Sequence, residues 1–87
     1  MAPEELTLLG GTVAHVGAGR IGGTGSLPRT AERAAVVHLS VTPTGGDRRL
    51  EKLTMGESFP LGDETWEVTG INHPNAISWN VVLRPVR

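Results

Sequence analysis

The stretch AAVVHLSVT, residues 34–42, constrains the fold most. Ala35, Val37, Leu39 and Val41 alternate with Val36, His38, Ser40 and Thr42. Successive side chains of an extended chain point to opposite faces, so this order builds one apolar row and one mixed row. Valine is β-branched and fits a pleated surface better than a helix. The run predicts a central strand whose Leu39 row faces a core and whose His38 row faces away. PTGGD follows as a hairpin turn, with Pro43 opening it and Gly45-Gly46 able to take positive φ angles. The return strand is RRLEKLTM, residues 48–55, where the break in alternation between Leu50 and Leu53 predicts a bulge near Glu51–Lys52.

The same pattern recurs on both sides. ELTLL and TVAHV read as two short strands separated by Gly10-Gly11, a tight turn or a bulge within one longer strand. Phe59 and Leu61 alternate before Gly62-Asp63, and Trp66 and Val68 alternate after it, which predicts a hairpin. NHPNA is a further turn. ISWNVVLRPV then closes the chain, with Ile77, Trp79, Val81 and Leu83 on one face. Pro85 has no N–H for a ladder, so it belongs at a strand end or edge. The one helical candidate, RTAERAA at residues 29–35, spans about two turns and runs straight into the valine-rich strand. The expected fold is therefore all-β: a single domain over residues 1–87, a small β-barrel or sandwich of five to six antiparallel strands.

Residues 17–33, GAGRIGGTGSLPRTAER, hold five glycines and one proline and read as one long loop. Gly17, Gly19 and Gly22 match G-x-G-x-x-G. That fingerprint works only where a helix N-terminus follows and approaches a pyrophosphate. Here Gly22, Gly23 and Gly25 and then Pro28 follow. Each glycine costs a helix about 0.8–1 kcal/mol and proline about 3. No Gly-Lys-Ser/Thr of a phosphate-binding loop is present either. The stretch is expected to be mobile, solvent-exposed and without affinity for nucleotides. An exposed Arg20-Ile21 pair within it, with Arg29 and Arg33 at its far end, is the candidate contact for a protein partner.

Composition narrows the chemistry. Eight basic residues face nine acidic ones, which leaves no electrostatic footprint for a nucleic-acid backbone. Phe59, Trp66 and Trp79 are the only aromatics, so no stacking platform for bases is expected. Both tryptophans lie on patterned strands and are expected in the core with Val37, Leu39, Val68 and Val81, each indole N–H needing an acceptor. Without cysteine there is no disulfide, thiolate metal site or thiol nucleophile. MAPEELTLLGG lacks the apolar run of a signal peptide, and no segment approaches the ~20 apolar residues of a membrane helix. A soluble, cytoplasmic protein with no cofactor and no membrane or nucleic-acid partner is expected. His15, His38 and His73 lie too far apart in sequence for a local metal motif, though a closed sheet could bring them together. Ser26, Ser40, Ser58 and Ser78 lie in no nucleophile motif. Asp63, Glu64 and Glu67 gather at a hairpin tip, a solvated place that suits a charged surface better than acid–base work.

Residues 48–86 carry Gly56, Glu57, Phe59, Gly62, Trp66, Val68, Ile71, Trp79 and Leu83 in a recurring order. A Gly-acidic-x-Phe-x-x-Gly stretch precedes a Trp-x-Val strand, a turn, and a closing strand with Trp and Leu. This order resembles a group of short all-β actinobacterial proteins without an assigned activity, and the resemblance implies a soluble β domain with no catalytic residues to carry over. The glycine-rich stretch lies outside it. The expected function is a non-catalytic binding or accessory module, acting through the 17–33 loop or a sheet edge, as a monomer or an edge-strand homodimer. The alternatives are a small-molecule or metal-binding barrel built on the three histidines, and a small enzyme of unrecognised type.

Overall fold

The computed structural model of the chain describes residues 5–86. Eight strands and no helix occur among them: β1 (Leu6–Leu9), β2 (Val13–Val16), β3 (Gly19–Leu27), β4 (Val36–Pro43), β5 (Arg49–Leu53), β6 (Ser58–Leu61), β7 (Glu64–Asn72) and β8 (Asn80–Pro85). They form two four-stranded antiparallel sheets, ordered β1-β8-β7-β6 and β2-β3-β4-β5. Each strand lies beside its neighbour in sequence except at two seams, β1 to β2 and β5 to β6, where the chain passes from one sheet to the other. The sheets are not closed by strand pairing.

One apolar core joins the two sheets. Leu8, Phe59, Leu61, Trp66, Val68, Val81 and Leu83 come from the first sheet, and Ile21, Val37, Leu39, Val41 and Leu53 from the second. Trp79, just before β8, completes it. The Val37–Leu39–Val41 row is fully buried, as its alternation predicts, and His38, Ser40 and Thr42 are half-buried on the opposite face. Both tryptophans share the core with the four residues expected beside them.

The seams and bulges are managed by side chains. Register shifts fall at Thr24 in β3 and Thr69 in β7, each followed by a glycine. A bulge leaves its extra residue unpaired and the ladder locally disrupted. In both cases the threonine hydroxyl ties that residue to the opposite strand: Thr24 Oγ1 donates to the His38 carbonyl at 2.9 Å and Thr69 Oγ1 to that of Val82 at 3.2 Å. At the β5–β6 seam the Arg49 guanidinium reaches across to the Pro60 carbonyl while pairing with Glu51 at 2.7 Å. At the β1–β2 seam Gly10 N–H donates to the Trp79 carbonyl and Gly11 N–H to that of Gly23.

Several expectations need correction. Eight strands form rather than five or six, because the stretch read as the loop 17–33 contains β3, the longest strand with β7. Only residues 17–18 and 28–33 of it lie outside a strand. Gly10-Gly11 is the tight turn expected, closed by the Thr12 N–H donating to the Leu9 carbonyl at 3.1 Å, and not a bulge, but it forms the corner between the two sheets. The β4–β5 ladder is continuous from Val37↔Leu53 to Val41↔Arg49, so no bulge occurs at Glu51–Lys52; the alternation breaks because Leu50 faces solvent. The final strand starts at Asn80, and Ile77 is fully exposed in the preceding turn rather than on the core face. Replacing Ile77 by serine should therefore leave stability within about 0.5 kcal/mol of wild type in a urea titration. A loss of the size expected for a core isoleucine would contradict this placement. The turn readings hold: Gly45 and Gly62 have positive φ, at 74° and 61°, and Pro85 ends its strand.

Candidate functional site

The glycine-rich stretch separates the residues first grouped as a contact. Arg20 and Ile21 are consecutive in β3, so they point to opposite faces. Ile21 is 0% exposed in the core and cannot contact a partner. Arg20 is exposed on the outer face of the β2-β3-β4-β5 sheet. Arg29 and Arg33 are exposed beyond the other end of β3, where with Met55 they line a different hollow of about 520 Å³. The structure does not bring them to Arg20.

What surrounds Arg20 follows from strand register. His15 is its partner on β2 and Thr42 its partner on β4. Arg49 is opposite Val41, so Arg48 lies opposite Thr42 just past the end of the ladder. Antiparallel partners share a face. The row across the sheet is therefore His15, Arg20, Thr42, Arg48. The next row is Val13, Gly22, Ser40 and Leu50, and beyond it His38 faces Lys52. Every charged side chain that the register puts on this face is basic. Asp47, in the turn beside Arg48, is not among the residues lining it.

The face is not flat. Gly22, in the central row, is covered by its neighbours: a Cβ there would lie 2.6 Å from Ser40 Oγ and 3.3 Å from Val13 Cγ2. Val13, His15, Arg20, Ser40, Thr42 and Arg48 line a depression of about 370 Å³ between these rows. His15, Arg20 and Thr42 also line an adjoining one of about 430 Å³, closed by the β4–β5 turn. Val13 and Leu50, 57% and 66% exposed, stand at the two ends of the central row. Among the described residues the ion pairs are Arg49–Glu51 and Arg84–Glu67, so Arg20 and Arg48 have no counter-charge there.

The other candidates stay apart. His15 and His38 share this face in different rows, while His73 sits in the β7–β8 turn with φ 53°. Among the described residues no three His, Asp or Glu groups are close enough to hold a metal. Glu64 accepts the Trp66 indole N–H at 3.1 Å, and Glu67 pairs with Arg84 at 2.7 Å, so two of the three hairpin acids have structural partners. Ser26 donates to the Pro74 carbonyl at 2.7 Å. No polar or charged residue is buried among those described.

The geometry defines a small all-β chain whose distinctive surface is one basic, partly apolar sheet face. The chain belongs to a family of unknown function, DUF6406, whose pattern matches residues 3–87. The match runs well beyond residues 48–86 and includes the glycine-rich stretch, in keeping with β3 being part of the fold. No curated protein and no solved structure matches the chain.

Proposed function

We propose that this chain is a non-catalytic, cytoplasmic protein-binding module, and that the outer face of the β2-β3-β4-β5 sheet takes an extended acidic segment of a partner protein. On this reading the two sheets are the layers of a sandwich, which leaves that face free. The observation that carries it is the segregation of charge. A chain with net charge −1 puts Arg20, Arg48, Lys52, His15 and His38 on one face. Such a face steers an oppositely charged partner and rejects a like-charged one. Val13 and Leu50 add exposed apolar contacts, and the depression lined by Val13, Ser40 and Arg48 gives a segment a shallow bed. A nucleic-acid strand is the poorer occupant, because no aromatic side chain lies on the face for a base to stack on. Catalysis lacks support for a separate reason: acid–base groups are tuned largely by burial, and no ionisable side chain is buried among the described residues.

The test is titration with a short synthetic peptide alternating glutamate with valine, followed by amide chemical shifts. Shifts should concentrate on β2 to β5 and weaken steeply with salt. Lys52→Glu and Leu50→Asp should each weaken binding about tenfold, or about 1.4 kcal/mol. Arg84→Glu, on the other sheet, should leave it unchanged. Saturable shifts confined to β1, β6, β7 and β8 would overturn the assignment.

A further inference from the structure

We infer that the depression lined by His15, Arg20, Thr42 and Arg48 is a phosphoryl-binding pocket, so that the acidic segment taken by this face is a phosphorylated one. This rests on the reading of the face as a site for an acidic segment, and it adds the group that anchors that segment.

The argument is one of charge and shape. Arg20 and Arg48 stand on either side of Thr42, their strands about 10 Å apart at the usual spacing. Their long side chains can converge above the Thr42 hydroxyl from opposite directions. A single carboxylate is planar and is satisfied by one guanidinium fork, which would leave the second arginine without a partner. A phosphoryl group carries about −1.5 to −2 charge and three acceptor oxygens around a tetrahedron. It can take both guanidinium groups and the threonine hydroxyl at once, with His15 as the donor on the β2 side. The positions around Thr42 hold no acidic side chain to compete, and both arginines lack a counter-charge among the described residues. Ser40, exposed to the same depression, offers a further hydroxyl. Lysines would hold such a group as point charges, whereas two arginines fix its orientation. The apolar ends of the central row, Val13 and Leu50, then receive the residues flanking the phosphorylated one.

The experiment compares four probes by amide shifts and calorimetry: inorganic phosphate, a glutamate-valine peptide with one central phosphoserine, the same peptide with serine, and the same with glutamate. The phosphoserine peptide should bind at least tenfold tighter than either of the other peptides. Inorganic phosphate should shift the amides of Arg20 and Thr42 at higher concentration. Arg20→Gln and Arg48→Gln, both at exposed positions, should erase the preference for phosphoserine while the serine peptide loses only a few-fold. Thr42→Val should reduce the preference without abolishing it. Equal binding of the phosphoserine and glutamate peptides would overturn the pocket and leave the acidic-segment reading standing. Binding of inorganic phosphate alone would support the pocket and overturn a peptide as the source of the group. Failure of all four probes to bind would overturn both.

Discussion

Gly19→Ala should cost this domain about 3 kcal/mol or more and lower its melting temperature by about 12 °C or more. Two separate penalties meet at this residue. Its φ is 154°, which an L-residue with a Cβ adopts only under strain, at roughly 1–2 kcal/mol. A Cβ there would also overlap the Thr42 carbonyl oxygen and come within 2.8 Å of Pro43 Cα. Both obstacles are backbone, so no side-chain rotation relieves them. The β3 and β4 strands would have to separate where Gly19 pairs with Pro43. Gly45→Ala is the control. Gly45 also has positive φ, but a Cβ there meets nothing within 4 Å, so only the conformational term of about 1–2 kcal/mol applies. Urea titrations of the two variants separate the cases. If Gly19→Ala is no less stable than Gly45→Ala, the close approach of β3 to β4 is wrong.

That contrast explains why β3 was illegible in the sequence. Strand signals are read from side chains, and GRIGGTGSL offers one large apolar residue, Ile21, before its last position. Its glycines are demanded by what approaches them: Thr42 and Pro43 at Gly19, Ser40 at Gly22, Trp79 at Gly23. Those neighbours are remote in sequence, so a segment shaped by close contact looks like a segment shaped by nothing. β4 and the β6–β7 hairpin were legible for the opposite reason, since their alternating large residues carry the pattern themselves. Ile77 misled because it keeps the period of Trp79, Val81 and Leu83 although the chain turns before Asn80.

The candidate surface was half visible. Arg20 stood out in the sequence, but its companions did not, because His15, Thr42 and Arg48 become neighbours only through register. Balanced composition concealed the basic face, since the acidic residues lie elsewhere: Glu64 under Trp66, Glu67 against Arg84, Glu51 against Arg49. The correct inference from net charge concerned the whole molecule, and a binding face answers to local charge. Pairing the alternation of TVAHV with that of AAVVHLSVT across β3 could have found it, had β3 been recognised as the strand between them.

The second large effect is expected at the β1–β2 seam. Trp79 is 7% exposed and its indole lies across two glycines of different origin. A Cβ on Gly10 would fall within the indole, and one on Gly23 would sit 3.0 Å from its Cη2. The ring therefore covers the corner where the chain leaves one sheet for the other, in place of the ladder that the seam lacks. Trp79→Ala should cost about 3–5 kcal/mol, a large share of the about 4–13 available to a domain of this length. Gly10→Ala should cost about 1–3 kcal/mol, because Gly10 has no positive φ and its penalty is only displacement of the indole. In the Trp79→Ala background that obstacle is gone, and the added methyl occupies part of the vacated space. Gly10→Ala should then be close to neutral, giving a coupling of about 1–3 kcal/mol in a double-mutant cycle. Because Trp79→Ala alone can bring the domain near its unfolding midpoint, the cycle is measured in stabilising sulfate. Trp79→Phe supplies a milder version, in which a smaller ring frees part of the space above Gly10. Additive effects of the two substitutions would mean that the indole is not what forbids a side chain at Gly10, and that the seam is held by backbone bonds alone.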